Sequence, residues 1–274
     1  MAITNFIPEL WVANMLDRWE NEKVFASLVD RSYEGIASKG NTVHIPAVVR
    51  PTIKDYKANS RTTTADAISD TGVDLLIDQE KNWDIYIDDI DRAQAAGQMS
   101  PYTDAAADAL IEDADLFIAE MLVDGGTALS GTAPTTGDAA FNLVRDARKT
   151  LNVNKAPSAG RVLVGNAAFE SLLLGADSKL TAVDTSGDNN GLRMATIGTL
   201  LGFRVITSNN LPENTDPAFV AFHPSAAAYV SQIDEVEALR ADNKFADRFR
   251  GLHVYGGKVV RPEGVAVFGA AAGS

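Results

Sequence analysis

The side chains best suited to chemistry are four carboxylates in the segment DIYIDDIDR, at Asp84, Asp88, Asp89 and Asp91. Clustered carboxylates bind hard divalent cations and serve as acid–base pairs in hydrolases. This cluster lacks the glycine at the sharp turn that a calcium-binding loop needs. Two interpretations follow: a carboxylate-dependent metal hydrolase, or the charged end of a β-strand.

Few other side chains offer reactive groups. The chain has no cysteine, which excludes disulfides, thiolate nucleophiles and cysteine-bound metals. Its histidines, His44, His223 and His253, are far apart in the sequence, and no Gly-x-Ser-x-Gly elbow, phosphate loop or dinucleotide fingerprint accompanies them. We therefore predict no catalytic residue, no metal and no cofactor.

Charge and hydropathy restrict the partners. The formal net charge is -13, which opposes tight, sequence-specific binding to DNA. No apolar run reaches the roughly 18 residues that span a bilayer, and the first residues lack the layout of a secretion signal, so we expect a soluble chain. With 274 residues, 46% of them hydrophobic, the chain can form one large domain or two modest ones.

The charges are also unevenly distributed. Carboxylates recur between residues 66 and 124, where only Lys81 and Arg92 oppose them. Four basic residues stand just before this acidic stretch and face only Asp55: Arg50, Lys54, Lys57 and Arg61. Adjacent blocks of opposite sign are either two solvated faces or the two halves of a contact between copies of the chain.

The spacing of apolar residues predicts a helix and a hairpin in the first part of the chain. An amphipathic helix is predicted from Pro8 to near Gly35, with Trp11 and Trp19 packing in the core or on another chain. Alternation at 43–49 and again at 83–88 predicts an antiparallel hairpin around the polar run 54–72. One strand of this hairpin would reach roughly 50 Å. A two-stranded ribbon of that length is not stable in water by itself, so we expect a neighbouring subunit to cover it.

A long helix is predicted next, from Pro101 to Asp124, because Pro suits the first turn and Gly125 and Gly126 end the apolar pattern. Its predicted buried stripe is Leu110, Ala114, Phe117, Met121 and Leu122. Strands then alternate with helices between residues 134 and 232, which predicts an inserted α/β unit. The remaining segment is rich in strands and is expected to return to a sheet beneath the long helix.

This order of parts resembles the major capsid proteins of tailed bacteriophages, which have the HK-ninety-seven capsid fold. The resemblance covers nearly the whole chain and is best near the end, where LLGFRVITSNNLP, AFVAFHPSAAAYV and the closing strands follow one another. Arg261, Pro262 and Glu263 form the turn that ends the pattern, and GRVLVGNAAFESLLL resembles the strand and helix of the inserted domain.

The resemblance implies an α+β fold in four parts. Residues 1–40 would be the N-terminal arm, residues 41–90 an extended β-hairpin loop lying over an adjacent subunit, and residues 134–232 the axial domain. Residues 91–133 with 233–274 would form the peripheral domain with the long spine helix. Hexamers and pentamers would build an icosahedral shell around double-stranded DNA in the virion, assembled in the host cytoplasm.

The resemblance also implies partners. The chain begins almost directly at the arm, without the long N-terminal scaffolding segment that some members of the family carry, so we expect a separate scaffold protein together with a portal. The resemblance also allows a decoration protein as a partner. Lys54 and Lys57 lie in the loop, but no motif identifies an asparagine to which a loop lysine would be covalently joined. An encapsulin-like compartment that packages protein rather than DNA shares the fold and is the alternative function.

Charge predicts the contacts between subunits. The four basic loop residues are expected to meet carboxylates on a neighbour, and exposed pairs of this kind contribute only about 0.2–1 kcal/mol each. The predicted acidic partners are Asp104, Asp108 and Glu112. Many weak contacts of this kind set the register between subunits and stabilise a closed shell together.

Overall fold

The computed structural model of the chain describes residues 24–34, 41–46, 52–63, 65, 72–89, 100–175, 177, 198–212, 216–241 and 244–269. The helices are α1 (Phe25–Leu28), α2 (Ser100–Gly125), α3 (Gly137–Val153) and α4 (Ala167–Leu173). The first strands are β1 (Thr42–Ile45), β2 (Val73–Leu76), β3 (Gln79–Asp88), β4 (Thr127–Ala128), β5 (Val162–Gly165) and β6 (Thr199–Leu200). The later strands are β7 (Phe203–Thr207), β8 (Phe219–Phe222), β9 (Ala227–Arg240), β10 (Ala246–Val259) and β11 (Val265–Phe268).

Three sheets are present among the described residues. A six-stranded sheet has the order β4-β11-β8-β5-β7-β6, in which β5 and β7 are parallel and β8 is antiparallel to both β5 and β11. A three-stranded antiparallel sheet has the order β3-β10-β9, and β1 pairs with β2. The mixture of helices with mostly antiparallel strands is the predicted α+β class.

Helices cover both faces of the six-stranded sheet. On β5, Val162 and Val164 point into the core that contains α2, whereas Leu163 points into the core that contains α3 and α4. The strands β8 and β11 divide their side chains between the two cores in the same way. Strands buried on both faces have continuous apolar sequences, which explains VLVG, FVAF and VAVF.

The long helix agrees with its predicted limits to one residue at each end, but its buried face is rotated from the predicted one. Ala114 and Leu122 are buried as expected, whereas Leu110, Phe117 and Met121 are only half-buried. The fully buried positions between them are Asp115, Ile118 and Ala119.

The second strand of the hairpin is not the one that was predicted. Strand β1 pairs with β2, with Val43 opposite Leu75, and not with residues 83–88. The latter belong to β3, which pairs with β10 so that Trp83 lies opposite Gly251. Both segments alternate with period two, and alternation alone does not distinguish between two possible partner strands.

The prediction that a neighbouring subunit must cover the hairpin was wrong for the base of the hairpin. Val43, Ile45 and Leu75 are buried by the chain itself, against Val230 and Val254 of the three-stranded sheet. The tip differs, because residues 52–63 are all exposed. The structure thus separates a sheltered base from a bare tip.

The N-terminal prediction is tested over a short range. The described helix α1 ends at Leu28 and not near Gly35, because Asp30 forms a parallel bridge with Ala228 at the start of β9. Trp11 and Trp19 lie outside the described residues. Over the described part of the chain, no helix is both long and apolar enough to cross a membrane.

Candidate subunit-contact surfaces

The tip of the hairpin loop, residues 52–63, is folded by its own hydrogen bonds. One carboxylate oxygen of Asp55 accepts from the backbone N–H groups of Lys57, at 2.9 Å, and Ala58, at 3.2 Å. The carbonyl of Asp55 accepts from Asn59 at 3.1 Å, and that of Tyr56 accepts from Arg61 at 2.9 Å. The tip is therefore a compact turn and not a featureless coil, although the sequence gives it no core.

The same loop tip exposes large apolar side chains. Ile53 is 89% exposed and Tyr56 is 55% exposed in the single chain. Three of the predicted contact cations, Lys54, Lys57 and Arg61, lie beside them and are exposed as well. Arg50 lies outside the described residues. A turn that presents both apolar and basic groups is suited to bind an acidic surface with an apolar centre.

The predicted acidic partners lie in the N-terminal half of α2. Asp108 and Glu112 are half-buried, and Asp104 is in the helix at a position whose side chain is not described. The next carboxylate, Asp113, accepts a hydrogen bond from the Tyr255 hydroxyl at 2.6 Å and lies 3.5 Å from Lys81 Nζ. Pairing with a neighbour's loop is a contact between chains, so it stays a prediction.

Asp115 is a buried carboxylate that sequence reasoning missed. Its side chain is fully buried and accepts from Val24 N at 3.3 Å, Ala26 N at 3.1 Å and Asn210 Nδ2 at 3.0 Å. It thereby fixes the start of α1 and the loop after β7 to the long helix. A signal was available, because Asp115 precedes Ile118, Ala119 and Leu122 by three, four and seven positions, which is the spacing of one helix face.

Two of the four carboxylates in DIYIDDIDR, Asp84 and Asp89, form ion pairs with arginines. Arg248 Nε donates to Asp84 at 2.9 Å, and this arginine lowers the pKa of Asp84. Arg240 binds both Asp89 and Asp247, and those hydrogen bonds raise the pKa of the arginine. No set of three or more metal-ligating side chains occurs among the residues described, while Asp91 lies outside them.

The histidines have separate local partners. His44 Nδ1 lies 2.6 Å from Asp74 across the β1–β2 pair, and His223 Nδ1 lies 2.7 Å from Ser225 Oγ in the turn after β8. His253 is buried, with Nε2 3.0 Å from Ser231 Oγ. These pairings are typical of side chains that stabilise a strand or a turn.

Tyr255 connects the long helix to the three-stranded sheet. It is fully buried, packs edge-on against Phe117 with ring centroids 5.3 Å apart, and donates to Asp113. Burial, followed by the hydrogen bond to Asp113, raises the pKa of the tyrosine. The phenol therefore stays protonated and holds α2 against β10.

Comparisons with known proteins agree with these features. A protein-family model described as phage capsid protein matches residues 72–268. A solved structure of Mycobacterium phage Che8 is 62% identical, with a TM-score of 0.90, over 97% of this chain and 98% of that one. No curated protein sequence matched.

More distant structures share the fold. The capsid structure of cyanophage P-SCSP1u is 19% identical, with a TM-score of 0.80, over 98% of this chain and 94% of that one. The asymmetric unit of the bacteriophage PhiM1 mature capsid is 13% identical, with a TM-score of 0.74, over 95% and 90% of the two chains.

The family match and the shared fold define a structural shell protein with the HK-ninety-seven capsid fold, as the sequence predicted. The chain belongs to the phage capsid protein family, and its place is the capsid of the virion. Its principal partner is therefore further copies of itself.

Proposed function

We propose that this chain is the major capsid subunit whose hexamers and pentamers close an icosahedral shell around double-stranded DNA. The observation that carries the proposal is the exposed loop tip, which presents the large apolar side chains of Ile53 and Tyr56 beside exposed basic residues. Apolar groups of this size are normally buried, and in a shell each tip would be covered by a neighbour. DNA would be enclosed without sequence-specific contacts, since the net charge is -13.

The proposed domain division follows the family resemblance. Residues 1–40 form the arm, 41–90 the extended loop, 134–232 the axial domain, and 91–133 with 233–274 the peripheral domain. The sheet topology refines this division, because β4 and β11, assigned to the peripheral domain, lie in the same sheet as strands β5–β8. We therefore expect the two domains to move as one body.

A structural role without catalysis is also proposed. Its support is that arginines bind two carboxylates of the candidate metal cluster, Asp84 and Asp89, and that each histidine has a local partner. A scaffold protein, a portal and a decoration protein are further proposed partners, and the host cytoplasm is the proposed place of assembly.

Size-exclusion chromatography with light scattering, followed by negative-stain microscopy, tests the function. The purified chain, alone or with a co-expressed scaffold protein, is expected to form hexamers, pentamers or megadalton particles. A monodisperse monomer with a metal-dependent hydrolytic activity would overturn the proposal. Particles purified from infected cells that contain a protein cargo and no DNA would instead favour an encapsulin-like compartment.

A further inference from the structure

A small pocket of about 70 Å³ lies where the segment after α3, the turn after β8 and the turn before β11 meet. Each of these segments contributes a basic residue to the lining: Lys155, His223 and Arg261. One carboxylate, Glu263, also lines the pocket. The space has room for about five water molecules, or for a tetrahedral oxyanion that displaces them. The charged lining of the pocket is thus predominantly basic.

The two permanent cations of the pocket are not neutralised by the described part of the chain. Over that part, neither Lys155 nor Arg261 forms an ion pair, and both side chains are exposed. The chain as a whole carries a net charge of -13. Two cations that face one small pocket therefore make it a local exception to the acidic character of the molecule.

A third positive charge stands behind the wall of the pocket. Arg161 is 4% exposed and donates to the carbonyls of two lining residues, Ala156 at 2.8 Å and Pro157 at 2.7 Å. Among the residues described, no carboxylate pairs with it, and burial, followed by the charge of Arg148, lowers its pKa. Arginine remains charged at neutral pH, so Arg161 adds positive potential and engages two carbonyl oxygens that would repel an anion.

The orientation of His223 supplies a hydrogen-bond donor. Its Nδ1 accepts from the backbone N–H of Ser225 at 3.2 Å. A backbone N–H can only donate, so the neutral ring carries its proton on Nε2. Within the described ranges Nε2 has no hydrogen-bond partner, and it lies 3.9 Å from the position that a Cβ on Gly160 would occupy. This N–H group is available to an acceptor in the pocket.

We propose that this pocket is a binding site for a phosphate-type oxyanion. The ammonium of Lys155 and the guanidinium of Arg261 pair with its oxygens, and Nε2 of His223 donates a hydrogen bond to it. Charge-assisted hydrogen bonds from lysine and arginine are the usual means by which proteins hold phosphate. The carboxylate of Glu263 opposes binding, so its removal gives a test of opposite sign.

The phosphate group has two possible sources. One is free phosphate in solution, and binding of that anion goes beyond the shell function and does not depend on it. The other is the backbone of packaged DNA, whose phosphates are recognised without regard to sequence. Both sources present the same oxyanion to the same three basic groups.

Isothermal titration calorimetry with inorganic phosphate tests the site in the purified chain, at constant ionic strength and with chloride as the reference anion. Saturable binding is expected. Arg261→Gln and Lys155→Gln each remove one cation and are expected to weaken the affinity by about tenfold. Lys149→Gln, at an exposed position of α3 outside the pocket lining, is the matched control and is expected to leave the affinity unchanged.

Glu263→Gln is expected to act in the opposite direction. Removing the repulsive carboxylate should strengthen phosphate binding by about threefold, an effect that a merely structural role of the turn would not produce. The melting temperature of each variant in chloride is expected to match that of the natural chain, because the substituted side chains are exposed.

A short DNA duplex of arbitrary sequence distinguishes the two sources. If the backbone of DNA supplies the anion, the duplex affinity at roughly physiological salt falls in Arg261→Gln and rises in Glu263→Gln, as measured by fluorescence anisotropy. If only inorganic phosphate shows this dependence, the pocket binds the free anion. The site is overturned if neither ligand binds, or if the affinities for both ligands are the same in the natural chain and in the pocket variants.

Discussion

Asp115 shows how a single buried carboxylate organises this subunit. It accepts hydrogen bonds from the backbone N–H groups of Val24 and Ala26 and from Asn210, so the start of α1 and the loop after β7 share one anchor on the long helix. A buried carboxylate is stable only when it is hydrogen-bonded, and Asp115 meets that condition with three donors.

Replacing Asp115 with alanine leaves these buried donors without an acceptor. Asp115→Ala is expected to lower the free energy of unfolding by about 3 kcal/mol, measured by urea unfolding. Asp146→Ala, an exposed aspartate on α3, is the matched control and is expected to change it by less than about 0.5 kcal/mol. Equal effects of the two substitutions would refute the role of Asp115.

Tyr255 gives the subunit a defined response to alkaline pH. Its pKa is raised in the folded chain, so its contribution to stability is complete below the ordinary tyrosine pKa of about 10 and is lost as the pH rises above that value. Tyr255→Phe cannot ionise at this site. We expect the substitution to cost about 1 kcal/mol at neutral pH, through the lost hydrogen bond to Asp113.

The pH dependence separates this effect from simple loss of packing. Between about pH 9 and about pH 11, the thermal unfolding midpoint of the natural chain is expected to fall more steeply than that of Tyr255→Phe. Tyr56→Phe, at an exposed position, is expected to follow the natural chain. Parallel curves for all three proteins would contradict the account.

Single residues were the hardest features to predict from the sequence. The exposed loop cations are recognisable from their position in a polar run, but Asp115 is not, because a charged residue is normally assigned to the surface. Its burial depends on donors that are 89 to 95 positions away in the chain, at Ala26, Val24 and Asn210. Its spacing from Ile118 and Leu122 places it on the buried face of the helix, but the identity of these distant donors leaves no local pattern.

At the scale of elements, Gly256 determines how closely the hairpin base approaches the rest of the chain. A side chain at this position of β10 would overlap the backbone of Leu76, the last residue of β2, and of Ile77 after it. The absence of a Cβ lets two backbones pass in contact and keeps Leu75 buried.

Gly256→Ala is expected to push β2 away from β10 and to lower the free energy of unfolding by about 2 kcal/mol. Thermal or urea unfolding measures the effect. Gly131→Ala is the control, since its added Cβ would meet Leu143 and Phe268 at 3.4 Å, close to ordinary contact. If both variants were equally stable, the close approach would not be a constraint.

The turn in the loop tip is held by local hydrogen bonds, among them those that the Asp55 carboxylate accepts from Lys57 N and Ala58 N. Asp55→Ala removes the acceptor for Lys57 N and Ala58 N, and it is expected to loosen the turn by about 1 kcal/mol. Hydrogen exchange at residues 57–61 should then accelerate by about fivefold in the free subunit.

The melting temperature of the free subunit is expected to stay unchanged in Asp55→Ala, because the residues of the tip are all exposed. Asp55→Asn keeps an acceptor oxygen and should retain slower exchange than the alanine variant. A large drop in melting temperature would show that the tip stabilises its own subunit, which is the opposite of what its exposure indicates.

Elements with strong periodicity were predicted well. The long helix and the run from β5 to α4 were correct because Pro101, the glycines at 125 and 126, and the apolar segment VLVG mark them locally. The hairpin pairing was wrong because residues 83–88 join β10, more than 150 positions later in the chain, and register between distant strands is fixed by packing.

At the scale of the whole molecule, the structure has two kinds of surface. The six-stranded sheet is enclosed by helices on both faces, so the body of the subunit is complete on its own. The loop tip is exposed, and it presents Ile53 and Tyr56 beside basic residues, groups that are suited to weak contacts with a neighbouring subunit. A shell built from many such weak contacts can correct misplaced subunits and still be stable when closed.

Trypsin digestion at the loop tip tests the central claim most directly. The tip contains cleavable bonds after Lys54, Lys57 and Arg61, all exposed in the single chain. If a neighbour covers the tip, these bonds are cut rapidly in dissociated subunits and more slowly in assembled particles, by roughly tenfold or more. Mass spectrometry of the fragments identifies the sites, and equal cleavage rates in subunits and intact particles would contradict the account.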